Sequence, residues 1–331
     1  MRILPFQPTV RVLGIVLFLG SSTASVLAQC LLDVDFGRDL GEAVDIDGDF
    51  AVVRADFENI GGIGDIGVVQ VLQRVGTGWV SQARIIAMDA AHRDFFGKAV
   101  AISGDRIIVG AMGHDDGCPE DDPDCDTGSA YVFVREGAGW VQEAELTASD
   151  PSLSKWFGVS VAIRGDVIAV GAPAHFSGGA VYLFRHQGAD WVEEARFTGG
   201  GNLGASVSIT GEYVLAGAET GNATVARGSL GNATGVVYVF HDTDDGWIQE
   251  DRFNPLDWTT VGRFGHSIST DGDVAVIGAY LDSEGGELAG AAYVFRYNGS
   301  NWIEEARLTA SDSAAWTQFG RTVSISGDLI L

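Results

Sequence analysis

Cysteine, proline, histidine and positive charge are all scarce in this chain. Its 331 residues hold 3 cysteines, 7 prolines, 6 histidines and 20 lysines and arginines together. Against those cations stand 45 acids, a formal net charge of −25. A surface of that sign repels phosphate backbones and anionic headgroups, which excludes nucleic acid and membrane surfaces as partners. Little proline beside 46 glycines, with no Gly-X-Y period, excludes collagen and points to many tight turns. Long apolar runs are missing as well: the run Val12–Leu19 is too short to span a bilayer. The histidines, His92, His114, His175, His186, His241 and His266, show no metalloprotease spacing, and neither a Gly-x-Ser-x-Gly elbow nor a phosphate loop occurs. A hydrophobic share of 46% is still enough for a real core and argues against disorder.

Residues 1–28 read as a secretory signal peptide. Arg2 and Arg11 give the positive flank, Val12–Leu19 the apolar core, and Val26-Leu27-Ala28 a small residue ahead of cleavage before Gln29. The sequence thus predicts an exported mature chain, 29–331. Lipidation at Cys30 is disfavoured, because Gln29 is not the small residue such a site requires. Cys118 and Cys125 share one polar loop at a spacing that allows a disulfide, which leaves Cys30 over.

What the chain does have is a repeat. Six units begin with a large apolar residue and a glycine: Leu40-Gly41, Phe96-Gly97, Phe157-Gly158, Leu203-Gly204, Phe264-Gly265 and Phe319-Gly320. Seven residues after each leading glycine comes another, always followed by an acid: Gly48-Asp49, Gly104-Asp105, Gly165-Asp166, Gly211-Glu212, Gly272-Asp273 and Gly327-Asp328. Between the glycines apolar and small residues alternate, as in Val100/Ile102 against Ala99/Ala101, which marks a strand covered on both faces. The Gly-acid pair fits a two-residue hairpin with glycine at its first central position.

A second apolar strand follows, closing on Gly110-Ala111 and its counterparts, and after a variable loop comes a third, such as Gly128-Ser129-Ala130-Tyr131-Val132-Phe133. Twelve residues after the glycine that opens each third strand stands a tryptophan, Trp79, Trp140, Trp191, Trp247 or Trp302, at the head of a fourth. Such invariance assigns these rings to the core. Four short strands per unit predict an all-β fold, a β-propeller of four-stranded antiparallel blades spanning 29–331. Five units are full and a sixth begins, so the ring is expected to be incomplete in this chain. Asp33, Asp89, Asp150, Asp257 and Asp312 each lie eight residues before a leading glycine, a regularity that suggests a recurrent turn or cap hydrogen bond.

The unit Phe157-Gly158 … Gly171-Ala172-Pro173 resembles the FG-GAP repeat of integrin α-chain propellers, and the tail Leu308-Thr309-Ala310-Ser311-Asp312, copied at Leu146–Asp150, is similar to the bacterial, secreted branch. The resemblance implies calcium loops of Asp-x-Asp-x-Asp-Gly-x-x-Asp type between the Phe-Gly and Gly-Ala-Pro parts. Here only the two-residue turn stands there, richest at Asp45-Ile46-Asp47-Gly48-Asp49, and a tight turn cannot supply the six to eight oxygens calcium takes. The remaining metal candidate is the acidic loop opened by His114, with Asp115, Asp116, Asp121, Asp122 and Asp126 around Cys118 and Cys125. Calcium is the one ion suggested for it, and a merely solvated loop is the alternative. Arg164-Gly165-Asp166 spells an integrin-recognition tripeptide, yet it occupies the hairpin where a sister unit has Ser103-Gly104-Asp105. Asn222, Asn232 and Asn298 match the glycan acceptor pattern.

With no catalytic motif, the expected function is a non-catalytic, secreted or cell-surface binding or adhesion module for an extracellular protein or glycan. A propeller hydrolase or lyase acting on an extracellular polymer, with acids drawn from several blades, and a purely structural envelope protein stand as the alternatives.

Overall fold

The computed structural model describes residues 41, 43–60, 63–114, 127–150, 156–221, 234–257, 262–312 and 314–331. Strands, turns and irregular segments make up all of them, with no helix among the described residues. Blade 1 is β1 (Val44–Asp47), β2 (Phe50–Ile60), β3 (Ile63–Val75) and β4 (Gly78–Ile85). Blade 2 is β5 (Phe96–Ser103), β6 (Arg106–Ala111), β7 (Ser129–Glu136) and β8 (Gly139–Leu146). Blade 3 is β9 (Ser160–Arg164), β10 (Val167–Ala172), β11 (Ala180–Gln187) and β12 (Asp190–Thr198). Blade 4 is β13 (Leu203–Thr210), β14 (Tyr213–Ala218), β15 (Val236–Thr243) and β16 (Gly246–Phe253). Blade 5 is β17 (Ser267–Asp271), β18 (Val274–Ala279), β19 (Ala291–Tyr297) and β20 (Trp302–Leu308), and a hairpin of β21 (Ile325–Ser326) and β22 (Leu329–Ile330) follows.

Each blade is a simple antiparallel meander in chain order. The first strands β1, β5, β9, β13, β17 and β21 pack each against the next, so the sheets fan out from their inner edges as propeller blades do. Four cores lie between successive blades: Ile168 and Val170 of β10 face blade 2, while Ala169 of the same strand faces blade 4. That is why the second and third strands are apolar on both faces. Each valine, leucine, isoleucine or phenylalanine so enclosed contributes about 1.5–3 kcal/mol.

The glycine code has a steric cause. A Cβ on Gly110, Gly171, Gly217 or Gly278 would sit 1.9, 2.1, 1.8 or 2.0 Å from the carbonyl oxygen of the next unit's leading glycine. Ser160, Ser206 and Ser267 donate their hydroxyls to those same oxygens at 2.8, 2.8 and 3.2 Å. Leading glycines take φ of +78° to +92°, and the residue before the apolar-Gly pair is also left-handed at Phe95, Trp156, Asn202, Arg263 and Gln318. The Gly-acid pairs are two-residue hairpins, as at Ser103↔Arg106 and Arg164↔Val167. Only their glycines have positive φ, which is the type II′ pattern.

Along the fourth strands every blade carries one bulge, at Gln82, Glu143, Glu194, Glu250 and Glu305. A bulge re-aims its side chain, and in blades 1–3 it reaches the neighbouring blade. Trp140, Trp191 and Trp247 donate their indole N–H to Gln82, Glu143 and Glu194 at 2.8, 3.1 and 3.1 Å. The tryptophans therefore clip blades together at the outer edge. Core assignment holds fully for Trp302 alone, at 6% exposure; Trp140, Trp191 and Trp247 are half-buried because an outer strand faces solvent on one side.

Candidate functional site

The ionisable groups divide into two repeated sets. At the hairpin side, the acid of the Gly-acid turn pairs with the third strand of its own blade: Asp49 with Arg74, Asp105 with Arg135, Asp166 with Arg185, Glu212 with His241 and Asp273 with Arg296. These acids hold a turn against a strand. Across the inner strands, Asp45 accepts from the Ile102 N–H at 2.8 Å and Asp47 from that of Gly104 at 2.6 Å. Burial outweighs those bonds at Asp45 and lifts its pKa to about 6. Bulge acids complete the set. Glu143 binds Arg106 through both oxygens, and the guanidinium holds its carboxyl below the usual range. At the outer edge of blades 3 and 4 an open cleft of about 570 Å³ is lined by Arg185, Glu194, Asp242 and Trp247, and the Arg185 guanidinium binds both Glu194 and Asp242.

The second set lies on the opposite side, where the segment after the second strand turns back. Three residues past the Gly-Ala alanine, His114, His175, Gly221 and Asp282 each donate their N–H to that alanine's carbonyl. Nearby, the third-strand tyrosine faces a fourth-strand residue in register: Tyr131↔Glu145, Tyr182↔Arg196, Tyr238↔Arg252 and Tyr293↔Arg307. Blade 3 builds a closed network on Asp150, which takes the Tyr182 hydroxyl at 2.6 Å, lies 2.9 Å from His175 Nε2 and pairs with Arg196. Blade 5 does the same on the fully buried Asp282, bound by Tyr293 at 2.6 Å and by Arg307 at 2.7 Å. Burial first, and then the carboxylate partner, push both tyrosine hydroxyls well above their ordinary pKa.

Blade 2 differs. His114 Nε2 is 3.6 Å from Glu145 Oε1 and 4.0 Å from Asp89 Oδ2, and its Nδ1 is 3.3 Å from Asp94. His114 and Asp94 are 7% and 3% exposed. Tyr131 stands over the same group, its ring edge-on to His114, its hydroxyl raised in pKa first by burial and then by the charge of Glu145.

Of the residues singled out in the sequence, Asp115, Asp116, Cys118, Asp121, Asp122, Cys125 and Asp126 lie outside the described residues, as do Asp33, Asn222 and Asn232. His114 is described, and its carbonyl accepts from Gly128 N and the Thr127 hydroxyl, closing the base of that loop. Arg164-Gly165-Asp166 sits exposed at its hairpin tip. Asp89 and Asp150, regular in their spacing, reach the tyrosine and histidine of the following blade. Glu145 escaped notice in the sequence, although a signal existed: the fifth residue after each tryptophan is Arg84, Glu145, Arg196, Arg252 and Arg307.

The FG-GAP repeat model matches residues 79–133, 140–184, 247–295 and 302–331, together more than half of the chain. The chain belongs to the FG-GAP repeat family. Each full match runs from a tryptophan into the next blade's third strand, ending at Phe133, Phe184 or Phe295, so one sequence unit knits two sheets. Integrin alpha-7 of Rattus norvegicus is 30% identical over 186 residues, 50% of this chain and 16% of its own length; that of Homo sapiens is 29% identical over 186 residues, with 15% of its length covered. The chain thus spans about a sixth of the relatives it matches.

Proposed function

We propose that this chain is a non-catalytic binding or adhesion module of the cell exterior, exported through residues 1–28, whose partner is an extracellular protein or glycan. One observation carries the reading. In an antiparallel meander successive connections alternate between the two faces of the propeller. On one face the turns are short: two residues in every first hairpin from Gly48-Asp49 to Gly272-Asp273, and two between the third and fourth strands of blades 1–4. On the other face the connections are unequal, from Ala172–Ala180 in blade 3 to Ala111–Ser129 and Ala218–Val236 in blades 2 and 4. Blade 1 extends β2 and β3 to 11 and 13 residues toward that face. Variable loops on a uniform scaffold are where binding specificity resides. Family membership and the integrin α resemblance support the same reading, and no helix among the described residues is long and apolar enough to cross a membrane.

The test is a glycan and extracellular-protein array probed with the purified protein, followed by loop exchange. Saturable binding is expected, and replacing 219–234 with the short blade 3 connection should weaken it at least tenfold. Turnover of a polymer, or binding that survives the exchange and instead tracks the two-residue hairpins, would overturn the proposal.

A further inference from the structure

We propose that Asp89, His114 and Glu145 of blade 2 bind a divalent cation of the zinc class, which fills the place that arginine takes in neighbouring blades. The site is independent of the partner named above, since it rests on a comparison within the fold. In blades 3 and 5 the acid beside the third-strand tyrosine is neutralised by Arg196 or Arg307. Blade 2 keeps the tyrosine and the acid but has a carboxylate, Glu145, in register where the guanidinium belongs. Asp94 adds a third carboxylate, at a position where the next unit has Lys155. Like charges gathered beside one buried imidazole repel one another, and a bound cation removes that repulsion.

The geometry has the shape of a half-closed coordination sphere. One nitrogen and two carboxylate oxygens from Asp89, His114 and Glu145 lie within 4.8 Å of one another. In blade 3 the corresponding His175 Nε2 and Asp150 Oδ2 are 2.9 Å apart, whereas His114 Nε2 and Asp89 Oδ2 are 4.0 Å apart. Zinc bonded at about 2.0–2.1 Å places tetrahedral ligand atoms roughly 3.3 Å from one another, so the 3.6 and 4.0 Å separations need contract by roughly 0.3 and 0.7 Å. An outer shell is in place. Buried Asp94 lies 3.3 Å from Nδ1, near enough to take that proton in the carboxylate–histidine arrangement that turns Nε2 toward a metal. The Ser129 hydroxyl donates to Glu145 Oε1 at 2.8 Å. The Tyr131 hydroxyl, in a residue with no exposure, faces Asp89 and Glu145. A nitrogen and two oxygens suit zinc or manganese and leave a position for water; calcium requires six to eight oxygens.

The experiment is calorimetric titration of the chelator-stripped protein with ZnCl2, MnCl2 and CaCl2, with Co2+ absorption as a spectroscopic reporter. One zinc per chain at micromolar Kd or tighter is expected, unaffected by millimolar calcium, with a tetrahedral cobalt spectrum. His114→Ala and Glu145→Gln should each weaken zinc at least tenfold and abolish the cobalt bands. Glu145→Arg recreates the neighbouring blades' network, so it should lose zinc while melting in EDTA at or above the wild-type temperature, which shows that the fold survives. Wild-type protein that binds no zinc, or zinc bound equally by the His114→Ala and Glu145→Arg variants, would overturn the proposal.

Discussion

Blades 2 and 3 carry the same aspartate, histidine and tyrosine at the same positions, Asp89/His114/Tyr131 and Asp150/His175/Tyr182, and differ at the fourth strand, Glu145 against Arg196. With arginine the polar groups close on one another at 2.6 and 2.9 Å. With glutamate the histidine–aspartate pair stands 4.0 Å apart, and the glutamate itself lies 3.6 Å from the histidine. The backbone repeat is indifferent to the exchange, because the fourth strand is the outermost and its side chains decide nothing about sheet register. A repeat protein can therefore change the chemistry of one blade without disturbing the next.

The contrast breaks most visibly if its acids are removed. Asp282→Ala, which strands the half-buried Arg307, should cost about 3 kcal/mol in urea unfolding. Asp89→Ala in blade 2, measured in EDTA, should cost nothing or stabilise, because it relieves repulsion; equal losses for the two would end the distinction. The shared scaffold is tested by Gly110→Ala and Gly171→Ala, whose new methyls would meet backbone oxygens at 1.9 and 2.1 Å. Both should lose about 2–3 kcal/mol, and by similar amounts.

Trp140→Ala and Trp191→Ala sharpen the comparison at the outer edge. Each should cost about 2 kcal/mol, below the range for a fully buried ring. The loss should be larger for Trp191, whose acceptor Glu143 is charged. Asp45 predicts a pH effect at the junction of blades 1 and 2. Its folded pKa of about 6 exceeds the unfolded value of about 3.9, so the folded state holds the extra proton between the two. Its contribution is most favourable below pH 4 and diminishes as pH rises to about 6. Denaturation of Asp45→Asn across that window should lack this slope. Smallest is Arg164→Ser. Ser103, its blade 2 counterpart, accepts from Gly165 N at 3.2 Å; restoring serine should change stability by less than about 0.5 kcal/mol. If it abolished attachment to cells while leaving unfolding unchanged, the exposed tripeptide would be a binding element.

Much of the architecture was legible because its causes are local. Period-two alternation marked the strands, and the glycines before acids marked six hairpins whose φ near +57° a side chain resists. Burial of the tryptophans was overread, since a fixed register says that a residue packs but not how much of it solvent still reaches. The acidic loop drew attention by composition. Among the described residues, the cluster that the fold assembles joins His114 to Asp89 from the preceding linker and Glu145 from β8.

By itself the amino-acid sequence determined the repeat, the four-stranded units, the turn type and the family, all of which follow from backbone sterics and hydrophobic period within one unit. Tertiary structure alone decided which charges meet. The bulges aim Glu143 and Glu194 into the next blade, the leading-glycine oxygens press on neighbouring glycines, and three acids converge on His114. Charge–charge energies depend on distances of a few ångströms between segments that are remote in the chain, and only packing blade on blade sets those distances.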